Sequence, residues 1–147
     1  MCKMKILVTL LFFLITVSAY AAPVTSEFGW RSHPISGEWK FHKGLDIGYD
    51  YGTPVYSFFD GVVCQCGDFD DGYGNQVVIY SYDYDVYIRF AHLSSVTCLA
   101  GDTARQGELV GYVGSTGYST GPHLHLEYIA RDENGEYQFF DPSFLLD

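Results

Sequence analysis

Hydrophobic positions in this chain come in short bursts, broken every few residues by Gly, Asp, Asn or Pro. A brief apolar or alternating run bounded by turn formers reads as a β-strand. The pattern predicts strands over residues 45–47, 55–59, 62–66, 76–80, 86–92, 109–113, 123–129 and 137–140, with a further short one over 96–99. Residues 22–27 read as a lead-in. Residues 28–41, with Gly29, Ser32, Pro34, Ser36 and Gly37, read as a long loop around a short hairpin. Asp60-Gly61 is a tight-turn dipeptide, 67–74 and 114–122 are Gly-rich loops, and Asn134-Gly135 marks a hairpin. A Pro-initiated turn at Asp141-Pro142 and one helical turn follow. Short strands at regular spacing predict an all-β, compact antiparallel domain.

One apolar run breaks this rhythm. Residues 6–17 are continuously hydrophobic apart from two threonines, with Lys3 and Lys5 before them and Ala19-Tyr20-Ala21 after. A basic start, a short apolar stretch and a small-x-small site make a secretory signal peptide. The run is shorter than the roughly 20 residues a permanent membrane helix needs. Residues 1–21 are therefore expected to be removed, and 22–147 to form a single domain that is secreted or periplasmic, without stable membrane insertion. A monomer is expected.

Charge narrows the partners. The chain carries 18 acidic and 8 basic residues, a net charge of −10. Loss of Lys3 and Lys5 with the leader takes this to −12. Such a surface argues against nucleic acid and against tight binding to anionic lipid. Three cysteines follow the leader: Cys64, Cys66 and Cys98. Export permits a disulfide. Cys64 and Cys66, two apart on a predicted strand, would point to one face and join each other poorly. Cys98 could pair with either, and three reduced thiols are equally compatible with the sequence.

The chemistry concentrates at Gly121-Pro122-His123-Leu124-His125-Leu126-Glu127. On a strand, residues i and i+2 share a face, so His123 and His125 stand side by side. Glu127 continues that face, either as a support for a ligand or as a carboxylate on the rim. His42-Lys43-Gly44-Leu45-Asp46 adds a His and an Asp four apart. A straight strand would hold these two about 13 Å apart, too far for a common ion. The chain must bend, and Gly44 can supply the bend. His, Asp and a third His would leave one metal position for water, the pattern of a catalytic zinc site rather than a closed structural one. N and O donors suit zinc without excluding other metals. No H-E-x-x-H helix supplies a glutamate base.

From about Phe28 to Leu145 the chain resembles the lysostaphin-type (LytM-like) zinc peptidases of bacterial cell walls. The matching segments are Phe28-Gly29-Trp30-Arg31-Ser32-His33-Pro34, Phe41-His42-Lys43-Gly44-Leu45-Asp46-Ile47, Gly52-Thr53-Pro54-Val55-Tyr56, Asp60-Gly61-Val62-Val63, Gly72-Tyr73-Gly74-Asn75, Ala91-His92-Leu93-Ser94, Gly111-Tyr112-Val113-Gly114-Ser115-Thr116-Gly117 and the His-Leu-His run. The resemblance implies an antiparallel β fold with an active-site groove. It implies one zinc per chain, held by His42, Asp46 and His125, with His92 and His123 beside it as catalytic residues. It implies a metalloendopeptidase cutting peptide cross-links of peptidoglycan. His33 reads as a structural loop histidine, and the Gly-rich loops as groove walls that let a peptide backbone come close. Two alternatives remain at this level: an inactive member that activates another wall hydrolase, and a zinc peptidase acting on glycine-rich peptides outside the wall.

Overall fold

The computed structural model describes residues 22–33 and 36–146. The expected signal peptide lies outside them. Twelve strands follow in chain order: β1 (Val24–Ser26), β2 (Gly29–Ser32), β3 (Trp39–His42), β4 (Leu45–Ile47), β5 (Pro54–Tyr56), β6 (Gly61–Gly67), β7 (Asn75–Ser81), β8 (Val86–Val96), β9 (Thr103–Ala104), β10 (Leu109–Val113), β11 (Leu124–Arg131) and β12 (Tyr137–Phe140). A single 3-10 turn, Ser143–Leu146, closes the described chain. Ten strands make one sheet in the order β1-β4-β11-β8-β7-β6-β9, with β10 on β8 and β5, and β12 on β11. The hairpin β2-β3 is a separate two-stranded sheet. Every pairing is antiparallel. The all-β antiparallel class expected from the hydrophobic pattern is the class observed.

One face of the large sheet carries the core. Leu45, Ile47, Val63, Val77, Ile79, Ile88, Phe90, Leu93, Val113, Leu124 and Leu126 pack together there. Strand period then dictates what the other face holds. Leu124 and Leu126 turn inward on β11, so His123, His125 and Glu127 share the opposite face. Leu45 and Ile47 turn inward on β4, so Asp46 does not. β4 and β11 are neighbours in a register that sets Asp46 opposite His125.

The elements depart from the expected pattern in four places. Residues 24–26 form an edge strand on β4. β8 runs on through Val96, so no separate strand occupies 96–99, and the short β9 pairs with β6 instead. β5 ends at Tyr56, because it pairs only with β10. Asp60-Gly61 turns the chain without closing a hairpin, since β6 pairs with β7 and β9 rather than with β5. Gly61 is there for space: a Cβ would lie 2.3 Å from the Tyr80 carbonyl oxygen.

Two bulges matter more than these edges. In β6 the register slips between Val63 and Gln65. The extra residue is Cys64, which is exposed, while Cys66 packs against the core. The expectation that these cysteines share a face is thus corrected: a bulge inverts the alternation beyond it. In β8 the register slips between the pairs Asn75–Leu93 and Val77–Phe90. Phe90 and Leu93 both enter the core, and the extra residue frees His92 from the core face that simple alternation would give it.

Candidate active site

A groove of about 420 Å³ opens over the face of β11 and β4. Its lining includes His42, Asp46, His92, His123, His125 and Glu127. His42 comes from the end of β3 in the small sheet, Asp46 from β4, His125 from β11, and His123 from the bridge residue just before β11. Between His42 and Asp46 the chain turns from one sheet into the other. Gly44 sits at that turn against β11, where a Cβ would lie 2.4 Å from the Leu126 carbonyl oxygen and 2.8 Å from the His125 ring. The glycine is required by close approach as well as by the bend.

Three donor atoms converge. His125 Nδ1 is 2.8 Å from Asp46 Oδ1 and 3.1 Å from His42 Nε2, and His42 Nε2 is 3.2 Å from Asp46 Oδ1. Among the described residues, these three form a group able to hold a metal ion. The fit can be read from the far side of each ring. His42 Nδ1–H donates to the Glu27 carbonyl at 2.8 Å, and a carbonyl only accepts. Its Nε2 therefore carries a lone pair. His125 Nε2–H donates to Glu127 Oε1 at 3.1 Å, which leaves a lone pair on Nδ1. With His125 neutral, two lone pairs and a carboxylate oxygen meet here, a place that either a proton on Nδ1 or a metal cation fills. Electrostatics agree. Burial works to raise the Asp46 pKa, but His125 and His42 outweigh it and hold the carboxyl below its ordinary range. Burial likewise opposes charge on His125, yet Asp46 and Glu127 raise its pKa. The pocket favours positive charge at this point.

His123 and His92 stand beside the trio. His123 Nε2 is 3.6 Å from Asp46 Oδ1, and its Nδ1–H donates to the Gly121 carbonyl at 2.9 Å. The His92 ring lies 4.8 Å from that of His123, and its Nδ1–H donates to the Thr116 carbonyl at 2.8 Å. Both rings present an unprotonated Nε2 when neutral. Burial, with help from His125 and His123, pushes the His92 pKa down to about 4, so the ring is neutral near pH 7. Its backbone is held at φ +59°, an uncommon conformation for a side chain with a Cβ. The His92 amide donates to the Tyr73 carbonyl at 2.8 Å, which anchors the bulge.

Residues 40–138 match the model of peptidase family M23. The chain belongs to peptidase family M23. Among characterised proteins, this M23 chain is 46% identical over 104 residues to the DD-carboxypeptidase/endopeptidase Mpg of Neisseria meningitidis, covering 71% of the chain and 24% of that relative. It is 37% identical over 108 residues to the peptidoglycan DD-endopeptidase ShyC of Vibrio cholerae, covering 72% of the chain and 24% of the relative. The chain thus spans about a quarter of the length of these two relatives. Among solved structures, the catalytic domain of the antimicrobial peptidase lysostaphin from Staphylococcus simulans superposes with a TM-score of 0.74 at 30% identity, covering 85% of the chain and 92% of that domain.

In this M23 fold all five residues singled out in the sequence meet in one groove. What the sequence understated is the layer behind them. Glu127 is no rim carboxylate: it is fully buried. It accepts from Tyr73 Oη at 2.6 Å and from Arg89 Nη1 at 2.7 Å as well as from His125. Its burial works to raise its pKa, and those three partners lower it below the ordinary range. Arg89 could have been found, because its i, i+2 alternation with Ala91 puts it on the site face opposite Glu127. Thr116 and Tyr73 carried no such signal. The two Gly-rich loops wall the groove as expected, through Gly72, Tyr73, Tyr118, Ser119 and Thr120, and their glycines serve a second purpose. A Cβ on Gly74 would lie 2.4 Å from Thr116 Oγ1, and one on Gly117 would lie 2.4 Å from the Gly72 carbonyl oxygen. They let the two loops interlock with each other and so hold Thr116 behind His92. His33 lines the groove and accepts from the Ser36 amide through Nδ1 at 3.3 Å.

Proposed function

We propose that this chain is an exported zinc metalloendopeptidase that hydrolyses peptide cross-links of bacterial peptidoglycan, after loss of residues 1–21. The observation that carries this reading is the three-donor convergence of His42, Asp46 and His125 beside two further histidines with free Nε2 atoms. His42 Nε2, Asp46 and His125 Nδ1 would hold one zinc ion. A bound zinc lowers the pKa of a water and polarises a carbonyl. The chain's own side chains do the rest. Glu127 fixes the orientation and tautomer of His125, and itself is fixed by Arg89 and Tyr73. The Glu27 carbonyl does the same for His42. His92 and His123, each oriented by a backbone carbonyl, take the proton of the attacking water at Nε2 and return one to the leaving amine. The groove holds the peptide over these atoms.

An inactive, activating role is the weaker reading, because it needs none of these five side chains and all five are in place. The peptidoglycan assignment draws on the name of the ShyC relative, and the endopeptidase assignment on the names of Mpg and ShyC together with the peptidase family to which the chain belongs. The test is digestion of purified cell walls by the chain, with and without a chelator, followed by mass analysis of the released peptides. Muropeptides cut at a peptide bond only when metal is present are expected. Intact cross-links in both arms would overturn the reading.

A further inference from the structure

The chain is strongly acidic, but along the groove Lys and Arg match the carboxylates in number, three against three. Six Lys and Arg side chains fall among the described residues, in a chain of net charge −10. Three of the six, Arg31, Lys40 and Lys43, line this groove. The carboxylates that also line it are already engaged. Asp46 faces the histidines. Asp71 accepts from the Gln76 amide at 2.8 and 3.0 Å and from the Tyr73 backbone at 3.1 Å. Glu127 is taken by Arg89, Tyr73 and His125.

The three cations are not engaged in the same way. Arg31 lies 3.8 Å from Asp46 Oδ2, a long contact, and its buried Nε has no partner. Lys43 packs over the Phe139 ring at 4.9 Å, and among the described residues no carboxylate lies within 4 Å of it. Lys40 meets Glu38 at 3.6 Å, with both side chains more than half exposed. Arg31 and Lys40 are also direct cross-strand partners in the β2-β3 hairpin. Like charges set opposite each other destabilise a strand pair. A hairpin that keeps such a pair at the mouth of a groove is suited to an anion lying between them.

Resting on the peptidase reading, we propose that Arg31, Lys40 and Lys43 form a carboxylate-binding subsite that selects the substrate. The peptide cut here carries a free carboxylate next to the scissile bond, as a cross-link between stem peptides with free α-carboxyl groups does. A neutral oligoglycine bridge lacks the group that this hairpin would hold. Arg can take such a carboxylate through two parallel N–H donors, and the lysines add point charge.

The test compares two synthetic cross-linked stem peptides, one with free carboxylates beside the scissile amide and one with them amidated, and pentaglycine as a third substrate. The wild-type full chain should cut the carboxylate form with a kcat/KM about tenfold above the amidated form, from two or three exposed charge contacts. Higher salt should shrink that ratio. The Lys40→Gln/Lys43→Gln double variant should lower it severalfold, with Arg31 holding what remains, and Lys40→Arg/Lys43→Arg should restore it. Equal cleavage of the two stem peptides, or faster cleavage of pentaglycine, would overturn the subsite and leave the peptidase reading standing. If no peptide is cut, the peptidase reading fails, and calorimetric binding of the same uncut peptides still decides the subsite. Tighter binding of the carboxylate form supports it, and equal affinity overturns it.

A second, independent observation concerns Cys66 and Cys98. Their Sγ atoms lie 3.6 Å apart, on the core side of β6 and 32 residues apart in sequence. Cys64 points away into solvent, because the β6 bulge inverts the alternation. We infer that Cys66 and Cys98 are the pair that oxidises. Each loses one hydrogen, the S–S bond forms, and the disulfide of a thiol oxidant such as oxidised glutathione becomes two thiols. The bond would tie β6 to the chain that follows β8 and raise the Tm by several degrees through loop closure. After incubation of the full chain with oxidised glutathione, a non-reduced digest should yield a peptide joined through Cys66 and Cys98, and Cys64→Ser should leave that link in place. Cys66 and Cys98 both remaining alkylatable, or a link through Cys64, would overturn it.

Discussion

Glu127 shows how one buried side chain can decide what its neighbour does. Its carboxylate accepts the hydrogen bond of His125 Nε2–H at 3.1 Å, which leaves Nδ1 as the only lone pair that ring can offer the groove. Arg89 and Tyr73 hold the carboxylate from behind. Replacing it by an amide keeps the shape, removes the charge and leaves Arg89 without its anion. Glu127→Gln should therefore weaken zinc affinity about 10–100-fold. A competition titration against a chromophoric chelator measures this, and unchanged affinity would remove Glu127 from the site. His123 predicts the opposite split. Its Nδ1 is held by Gly121, and its Nε2 lies farther from Asp46 than do His125 Nδ1 and His42 Nε2. His123→Ala should bind zinc as the wild type does in the same titration and lose about 10²–10⁴-fold in kcat on a peptide substrate. Retained turnover, or lost zinc, would reassign it.

At the scale of elements, period and bulge divide what the sequence tells from what it hides. His123, His125 and Glu127 were placed on one face by alternation alone, because β11 runs without a bulge between them. The same rule applied to β8 puts His92 beside Phe90 in the core, and only the extra residue before Leu93 carries it out. The sequence marks that bulge with no glycine, since His92 itself takes the positive φ. The rule fails at Cys64 and Cys66 for the same reason. Long-range pairing was equally silent: β9 on β6 and the loop contact of Thr116 with His92 join residues that no local pattern links. A hairpin turn supplies a prediction that local reading would also miss. Asp85, at φ +53° in the turn before β8, accepts from Tyr137 on β12, from Tyr80 on β7 at 2.7 Å and from Arg131 on β11 at 2.8 Å. The hydrogen bond from Tyr137, then those from Tyr80 and Arg131, lower its pKa from 3.8 to about 2. A depressed carboxylate stabilises the fold fully above its unfolded value and loses that contribution as pH falls through the folded one. Asp85→Asn should lower the Tm at pH 5 to 7, and the gap from wild type should shrink from pH 4 downward and close below pH 2. A gap undiminished from pH 5 to below pH 2 would show that the charge is not what holds the turn.

The whole molecule is divided into a ten-stranded sheet and a two-stranded hairpin, and the candidate metal ligands straddle the division. His42 belongs to β3 in the hairpin sheet, Asp46 and His125 to β4 and β11 in the large one. Metal bound by all three would tie the two sheets together, and it would bind the folded chain and not an unfolded one in which the ligands are dispersed. Linkage then converts affinity into stability: at a free metal concentration a thousandfold above Kd the gain is about 4 kcal/mol. For a domain of this size that corresponds to a rise in Tm on the order of 10–20 °C. Scanning calorimetry of the chain stripped with chelator, and again after adding zinc, reads the shift directly. His125→Ala should abolish it, because the remaining His42 and Asp46 leave too few ligands for a tight site. His92→Ala should retain it, because that ring is turned to Thr116 and the groove and not to the donor cluster. A zinc-induced shift of the same size in His125→Ala would mean that the ion binds somewhere other than between the two sheets.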